Sequence, residues 1–247
     1  MLTVSTINVD RLGSHAGFLA WLRDPTSDVV CLQATGTEPG RRALQVAEES
    51  GWHAVLAPPS ERGGNGAAVL SRVEPETTQV GFDAGEFDDS GRYAELTLKD
   101  VVIGSVHLLP GPTDDAVEQE RARFVRAFAV YLGELRARAE AGSKETLLCG
   151  SGNLVERVEE AAVGADRSAA HQRAALARGF LDAGYADVVG AVDAPEVATE
   201  AQRAVHFPNY QVGTTGMAER ALAARTEPFL SRTDDSEGVA VTVQYDL

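Results

Sequence analysis

Residues 28–35 read DVVCLQAT, an apolar run from Val29 to Leu32 closed off by Asp28 on one side and by polar residues on the other. Such a run, short and rich in β-branched residues, predicts a strand. Working outward, runs of the same character recur at Leu2 to Val9, Trp52 to Ala57, Gly66 to Ser71, Arg92 to Leu98, Val101 to His107, Thr146 to Cys149 and Val239 to Tyr245. Most are bounded by Gly, Pro or Asp. Helical patterns lie between them at 15–23, 38–50 and 114–141, the last with Val117, Phe124, Val125, Phe128, Tyr131, Leu132 and Leu135 along one apolar stripe. Asp114 and Asp115 suit its start and Gly142 its end. The runs at 92–98 and 101–107 are joined by Lys99 and Asp100 alone, which predicts a hairpin and therefore mixed sheets. A layered α+β fold follows, in one domain over 1–247; residues 155–205 are the least patterned.

The chain has 247 residues, 44% of them hydrophobic, enough for one large core. With 22 Lys and Arg against 37 Asp and Glu, its formal charge is −15, which opposes binding of polyanions by net charge. The two cysteines, Cys31 and Cys149, lie inside apolar runs, as reduced, buried cysteines do. No apolar stretch reaches membrane-span length and the N-terminus lacks the pattern of a signal peptide, so a cytoplasmic protein without membrane contact is expected. Trp21 and Trp52 fall in a helix and a strand pattern and are read as core. Arg121, Arg123, Arg126, Arg136 and Arg138 alternate with Glu118, Glu120, Glu134 and Glu140, a pattern read as a solvated, salt-bridged face.

Seven strings occur in a fixed order: TINVD at 6–10, DVVCLQAT at 28–35, GNGAAVLSR at 64–72, FDDSGRY at 87–93, SVHLLPG at 105–111, LLCGSGNL at 147–154 and SEGVAVTVQYDL at 236–247. Together they resemble the endonuclease/exonuclease/phosphatase superfamily, and within it the exonuclease III branch. The resemblance runs nearly end to end and is weakest over 155–235. It implies a four-layered αββα sandwich with the active site at one end, on loops that follow the strand ends. It also implies hydrolysis of phosphodiesters with magnesium held by carboxylates, and water activated by a histidine and aspartate pair.

This sequence departs from that pattern at the positions that matter most. Where the resemblance implies a metal-binding glutamate stands Ala34, where it implies the catalytic aspartate stands Ser151, and Gly152 replaces an aromatic residue. The terminal aspartate and histidine become Glu237 and Gly238, and a tyrosine becomes His107. A further aspartate, on an alignment through residues 207–210, becomes Asn209. Kept are Asn8, Gln33, Arg92, Asn153 and Tyr210, mostly neutral amides. Magnesium prefers oxygen ligands with one or two carboxylates, so the expected outcome is no resident metal or other cofactor, with Glu237 the sole weak candidate ligand. Residues 190–206, where the branch carries a tryptophan-rich loop engaging substrate, hold no aromatic residue. Strong DNA binding is not expected.

Three functions follow in order. First is a pseudo-nuclease that binds a partner protein or a small anionic ligand. Second is a metal-independent enzyme built on a remodelled cleft of Asn8, Gln33, Arg92, His107, Ser151, Asn153, Asn209, Tyr210 and Glu237, in which His107 would be the base and Ser151 a nucleophile only if a base touches it. Last is a residual magnesium nuclease. For Arg92 a structural role, across backbone carbonyls, and anion binding both stay open.

Overall fold

The computed structural model describes residues 1–9, 16–23, 26–58, 66–83, 85–108, 115–151, 178–192, 209–230 and 237–247. Among the described residues, two sheets of six strands each carry the fold. In the first, β1 (Leu2–Asn8), β2 (Val29–Gln33), β3 (His53–Ala57), β4 (Ala67–Ser71), β11 (Ala221–Leu230) and β12 (Glu237–Tyr245) run in the order β11-β12-β1-β2-β4-β3. In the second, β5 (Thr77–Val80), β6 (Tyr93–Thr97), β7 (Val101–His107), β8 (Glu145–Ser151), β9 (Tyr185–Asp187) and β10 (Asn209–Thr214) run in the order β5-β6-β7-β8-β10-β9. Both sheets are mixed, as expected: β1 with β2 and β7 with β8 are parallel, and the remaining pairs are antiparallel. The predicted hairpin is β6 against β7, with Tyr93 opposite Val106.

The sheets face one another across a core containing Val4, Cys31, Val69, Ile103, Cys149 and Val243. Helices α1 (Ala16–Arg23) and α2 (Glu38–Glu49) cover the outer face of the first sheet, where Phe18, Leu22 and Val46 meet Ile7, Leu32 and Leu70. Helix α3 (Asp115–Ala141) covers the second sheet through Phe124, Phe128, Tyr131, Leu132 and Leu135. The sandwich is therefore helix, sheet, sheet, helix. Alternation of side chains along each strand sends one set inward to the partner sheet and the other outward to a helix. Trp52 is core, as expected: its indole N–H donates to the carbonyl of Leu22 at 3.1 Å and Arg72 stacks on its ring. Trp21 stacks with Phe18 and meets Phe229 edge on.

Two sequence expectations need correction. The sequence shows no strand pattern between residues 152 and 236, where the described residues hold β9, β10 and β11. β9 has only three residues, and β11 is an Ala-rich edge strand with Pro228, which an edge tolerates because no neighbour needs that N–H. The arginines of α3 are not one solvated face. Arg123 and Arg136 make exposed pairs with Glu86 and Glu140, but Arg121 is buried and Arg138 reaches over the sheet edge to Glu95. Val117 and Glu118 lie outside the described side chains, and Asp114 outside the described residues.

Glu95 is a buried carboxylate with every oxygen engaged. Tyr93 and Tyr131 donate their hydroxyls to one oxygen at 2.5 and 2.7 Å, and Arg138 donates to the other at 2.5 Å. Burial and the neighbouring carboxylate push both phenols upward. Glu95→Ala is expected to destabilise the fold by about 3 kcal/mol, because two buried hydroxyls lose their acceptor and Arg138 its partner. Glu95→Gln should cost less, since an amide oxygen still accepts. Urea unfolding midpoints of the two variants check the ranking.

Candidate functional site

Strand register brings the sequence-predicted residues to one end of the sandwich. Asn8 lies opposite Gln33 where β1 and β2 finish, and β12 enters antiparallel to β1 from that same end, beginning at Glu237 and Gly238. In the second sheet Ser151 lies between His107 and Asn209, and the backbone N–H of His107 donates to the carbonyl of Arg92 at 2.8 Å. The two ends meet because the Gln33 amide donates to Ser105 Oγ at 3.0 Å, and that hydroxyl donates to the carbonyl of Leu32 at 3.0 Å.

Local sequence explains each placement. Gly91 adopts a left-handed conformation with φ 73°, and the turn it closes launches Arg92 and Tyr93 into β6. Ala34 also has a left-handed φ of 62°, a conformation that costs an alanine about 1 kcal/mol. Its carbonyl accepts from the N–H and the hydroxyl of Thr37, the residue that caps α2, and its methyl is buried. The chain is turned sharply at this point, and the side chain offers no ligand atom.

Not every candidate faces the same space. Gln33 is wholly buried between the sheets, where its amide ties Thr6 to Ser105. Tyr210 follows Asn209 and so points to the opposite face, into the aromatic layer under α3, edge on to Phe180. Its hydroxyl lies over Gly150, 2.3 Å from where a Cβ would stand, so only glycine fits there. Asn153 and Gly152 lie outside the described residues, as do residues 193–208, and the side chains of Glu237 and Gly238 are likewise not described.

What does gather is Arg92, His107, Ser151 and Asn209. The guanidinium of Arg92 is 5% exposed; its Nη2 donates to Glu120 at 2.6 Å and it sits 5.2 Å from the ring of Phe124. Glu120 and Phe124 are one turn apart on α3, so a single helix face holds the arginine. Sequence reading missed Glu120 and Phe124 as partners of Arg92, although their four-residue spacing was a usable signal. Burial and repulsion from Arg121 lower the arginine, while Glu120 raises it.

His107 Nδ1 lies 3.3 Å from Ser151 Oγ. Burial, reinforced by the charge of Arg92, pushes His107 down to about 4, so the ring is neutral at physiological pH. A base acting on Ser151 would have to become imidazolium, buried and beside a guanidinium. The environment opposes that step, and the pair is a hydrogen bond without the makings of a nucleophile and its base.

The depressed histidine has a measurable consequence. In the unfolded chain its reference value is near 6.5, so between there and about 4 the unfolded state binds a proton that the native state refuses. The stability is present above the unfolded value and is lost as pH falls; about 2 kcal/mol should go between about pH 7 and about pH 5. His107→Gln should flatten that part of the urea-midpoint profile.

Among the described residues the donor set does not suit magnesium: that ion calls for carboxylate and other oxygen ligands, whereas these strand ends offer a methyl group, amides, a hydroxyl, a neutral imidazole and a guanidinium. Glu120 is already held by Arg92. Among the described residues no three His, Cys, Asp or Glu side chains converge. No helix among them is long and apolar enough to cross a membrane.

Comparison with known proteins matches this arrangement to one family. The chain is 27% identical to an exodeoxyribonuclease of Bacillus subtilis (strain 168) over 175 residues, which span 69% of this chain and 66% of that protein, just under two thirds of its length. Among solved structures, an AP endonuclease from Archaeoglobus fulgidus superposes with a TM-score of 0.73 at 19% identity, with both chains fully covered. A 3′ phosphatase from Neisseria bound to a product DNA hairpin superposes with a TM-score of 0.75, again at 19% identity and full coverage of both chains. These likenesses carry the fold. The family model described as endonuclease/exonuclease/phosphatase matches residues 5–151, from β1 to the end of β8, and with more than half its length so matched the chain belongs to the endonuclease/exonuclease/phosphatase family.

Proposed function

We propose that this chain is a catalytically silent member of its family, an exonuclease III-like fold used for binding or regulation. One observation carries the reading: the described strand ends present Ala34, Ser151 and Asn209 where the resemblance implies carboxylates, and His107 where it implies a tyrosine, beside a buried Arg92. A neutral or cationic surface neither holds magnesium nor supplies an acid and base for hydrolysis. The relatives named above are an exodeoxyribonuclease, an AP endonuclease and a 3′ phosphatase, so the difference must lie in side chains and not in the backbone frame.

The ligand is a partner protein or a small anion. Strong DNA binding is disfavoured by the charge of −15 and by the lack of any aromatic residue over 190–206. The cytoplasm suits two cysteines that are both buried and free. The test is cleavage of an abasic-site duplex and of a nicked duplex with magnesium or manganese, run beside the Bacillus subtilis exodeoxyribonuclease. Absence of metal-dependent product supports the reading; product that forms at a comparable rate and disappears with EDTA overturns it.

A further inference from the structure

Helix α3 covers the second sheet with one face and turns another to solvent. On that outer face stand Arg126, Val130, Gly133 and Glu134, all exposed. Val130 is 66% exposed, the one exposed large hydrophobic residue among the described side chains of α3. A Cβ built at Gly133 meets nothing within 4 Å, so no contact inside the chain calls for glycine there. At exposed positions inside a helix, propensity alone selects the residue; glycine costs about 1 kcal/mol against alanine and valine up to about 0.7 kcal/mol. Two poor helix formers on one exposed face break the local rule, and proteins keep such conflicts where a surface has a use of its own.

The charges say what that surface meets. Arg123, Arg136 and Arg138 are held by Glu86, Glu140 and Glu95, Arg121 is buried, and Glu120 is held by Arg92. Arg126 and Glu134 make no ion pair with any described residue. They stand one turn before and one turn after Val130, about 12 Å apart along the axis, too far to pair with each other. A twofold axis through Val130, perpendicular to the helix, lays a second α3 antiparallel on the first. It brings Arg126 of each copy opposite Glu134 of the other, sets Val130 against Val130, and lets the backbones approach at Gly133. We infer that the outer face of α3 is a self-association surface whose partner is a second copy of this chain, packed antiparallel across Val130. An unrelated partner would need its own acid and base at matching spacing, whereas a second copy supplies both by symmetry. The inference stands whether or not the strand ends are catalytic. The charge of −15 on each copy opposes association at long range, but salt screens it beyond about 8 Å at about 0.15 M, while Arg126 and Glu134 act in contact. One helix crossing covers less than the roughly 1,200 Å² of a standard interface, so the dimer is weak and reversible.

The test is sedimentation-velocity centrifugation in about 0.15 M sodium chloride, from about 5 to about 300 µM protein. A concentration-dependent dimer is expected. Arg126→Glu and Glu134→Arg each set like charges opposite one another twice and should weaken association roughly tenfold. Combining the two exchanges the charges and should restore association to within about threefold of the parent. Because the two residues do not touch within one chain, only contact between copies couples them, and misfolding cannot imitate the rescue. Val130→Cys puts a thiol on the twofold axis and should give a disulfide-linked dimer on mild oxidation with copper phenanthroline. Gln119→Cys, exposed on the same helix but far from the axis, should stay monomeric. The native Cys31 and Cys149 are buried and do not compete. A chain that stays monomeric to the highest concentration would overturn the inference. So would a dimer indifferent to Arg126→Glu, a charge exchange that fails to restore it, or a Val130→Cys variant that cross-links no faster than Gln119→Cys.

Discussion

With magnesium and an abasic-site duplex, the protein is expected to turn over at least about 10⁴-fold more slowly than an intact family member. Loss of a positioned acid or base by itself costs about 10²- to 10⁴-fold. Loss of the metal removes a further several kcal/mol of charge stabilisation, each roughly 1.4 kcal/mol being a factor of ten. These losses do not add, because groups that act as a unit fail together, so the lower bound rests on the larger of them. Ala34 lacks any ligand atom, and its methyl is buried in a left-handed turn. Single-turnover measurement with excess protein reads the chemical step directly, and a rate within about a hundredfold of the relative would refute the expectation.

Phe128→Ala should be the most damaging single substitution in the outer layer, lowering stability by about 4 kcal/mol. Phe128 is fully buried and meets the rings of Phe82, Tyr93, Phe124, Tyr131 and Phe180. Its removal deletes the apolar contact and leaves a space that five rings, fixed by one another, cannot readily close. At this chain length the melting temperature should drop by roughly 10 °C. The consequence reaches the site. Helix α3 holds Arg92 through Glu120 and Phe124, two turns and one turn before Phe128, so loosening the helix should loosen the seat of Arg92 as well. A variant that melts within about 1 °C of the parent would show that the layer repacks.

Much of the frame was legible in the chain because strand formation here follows local apolar runs. DVVCLQAT became β2, the pair 92–98 and 101–107 became the β6–β7 hairpin, and the apolar stripe of 114–141 became α3 with its aromatic face on the sheet. Strands β5, β9, β10 and β11 were not legible. β5, β9 and β11 lie at sheet edges, where half the backbone pairing is absent and alternation is not enforced by burial on both faces, whereas β10 is an interior strand whose polar Asn209, Gln211 and Thr214 hide the apolar run that the other interior strands show. The candidate residues were legible as positions, through the ordered strings, but their environments were not. Nothing in the spelling of Gln33 says that its amide is spent between the sheets, or in that of Tyr210 that its ring turns away from Asn209.

By itself, the sequence determined the alternating layers, the family, and the identities of Ala34, Ser151 and Asn209 at positions where the resemblance implies acids, because apolar periodicity and residue identity are local properties. Only the tertiary structure decided charge and access: which arginine is buried, that Glu120 holds Arg92, and that His107 stays neutral beside Ser151. Those properties arise from desolvation and from fields of groups distant in the chain, and residues 92, 107, 120 and 151 become neighbours only when two sheets and a helix close around them.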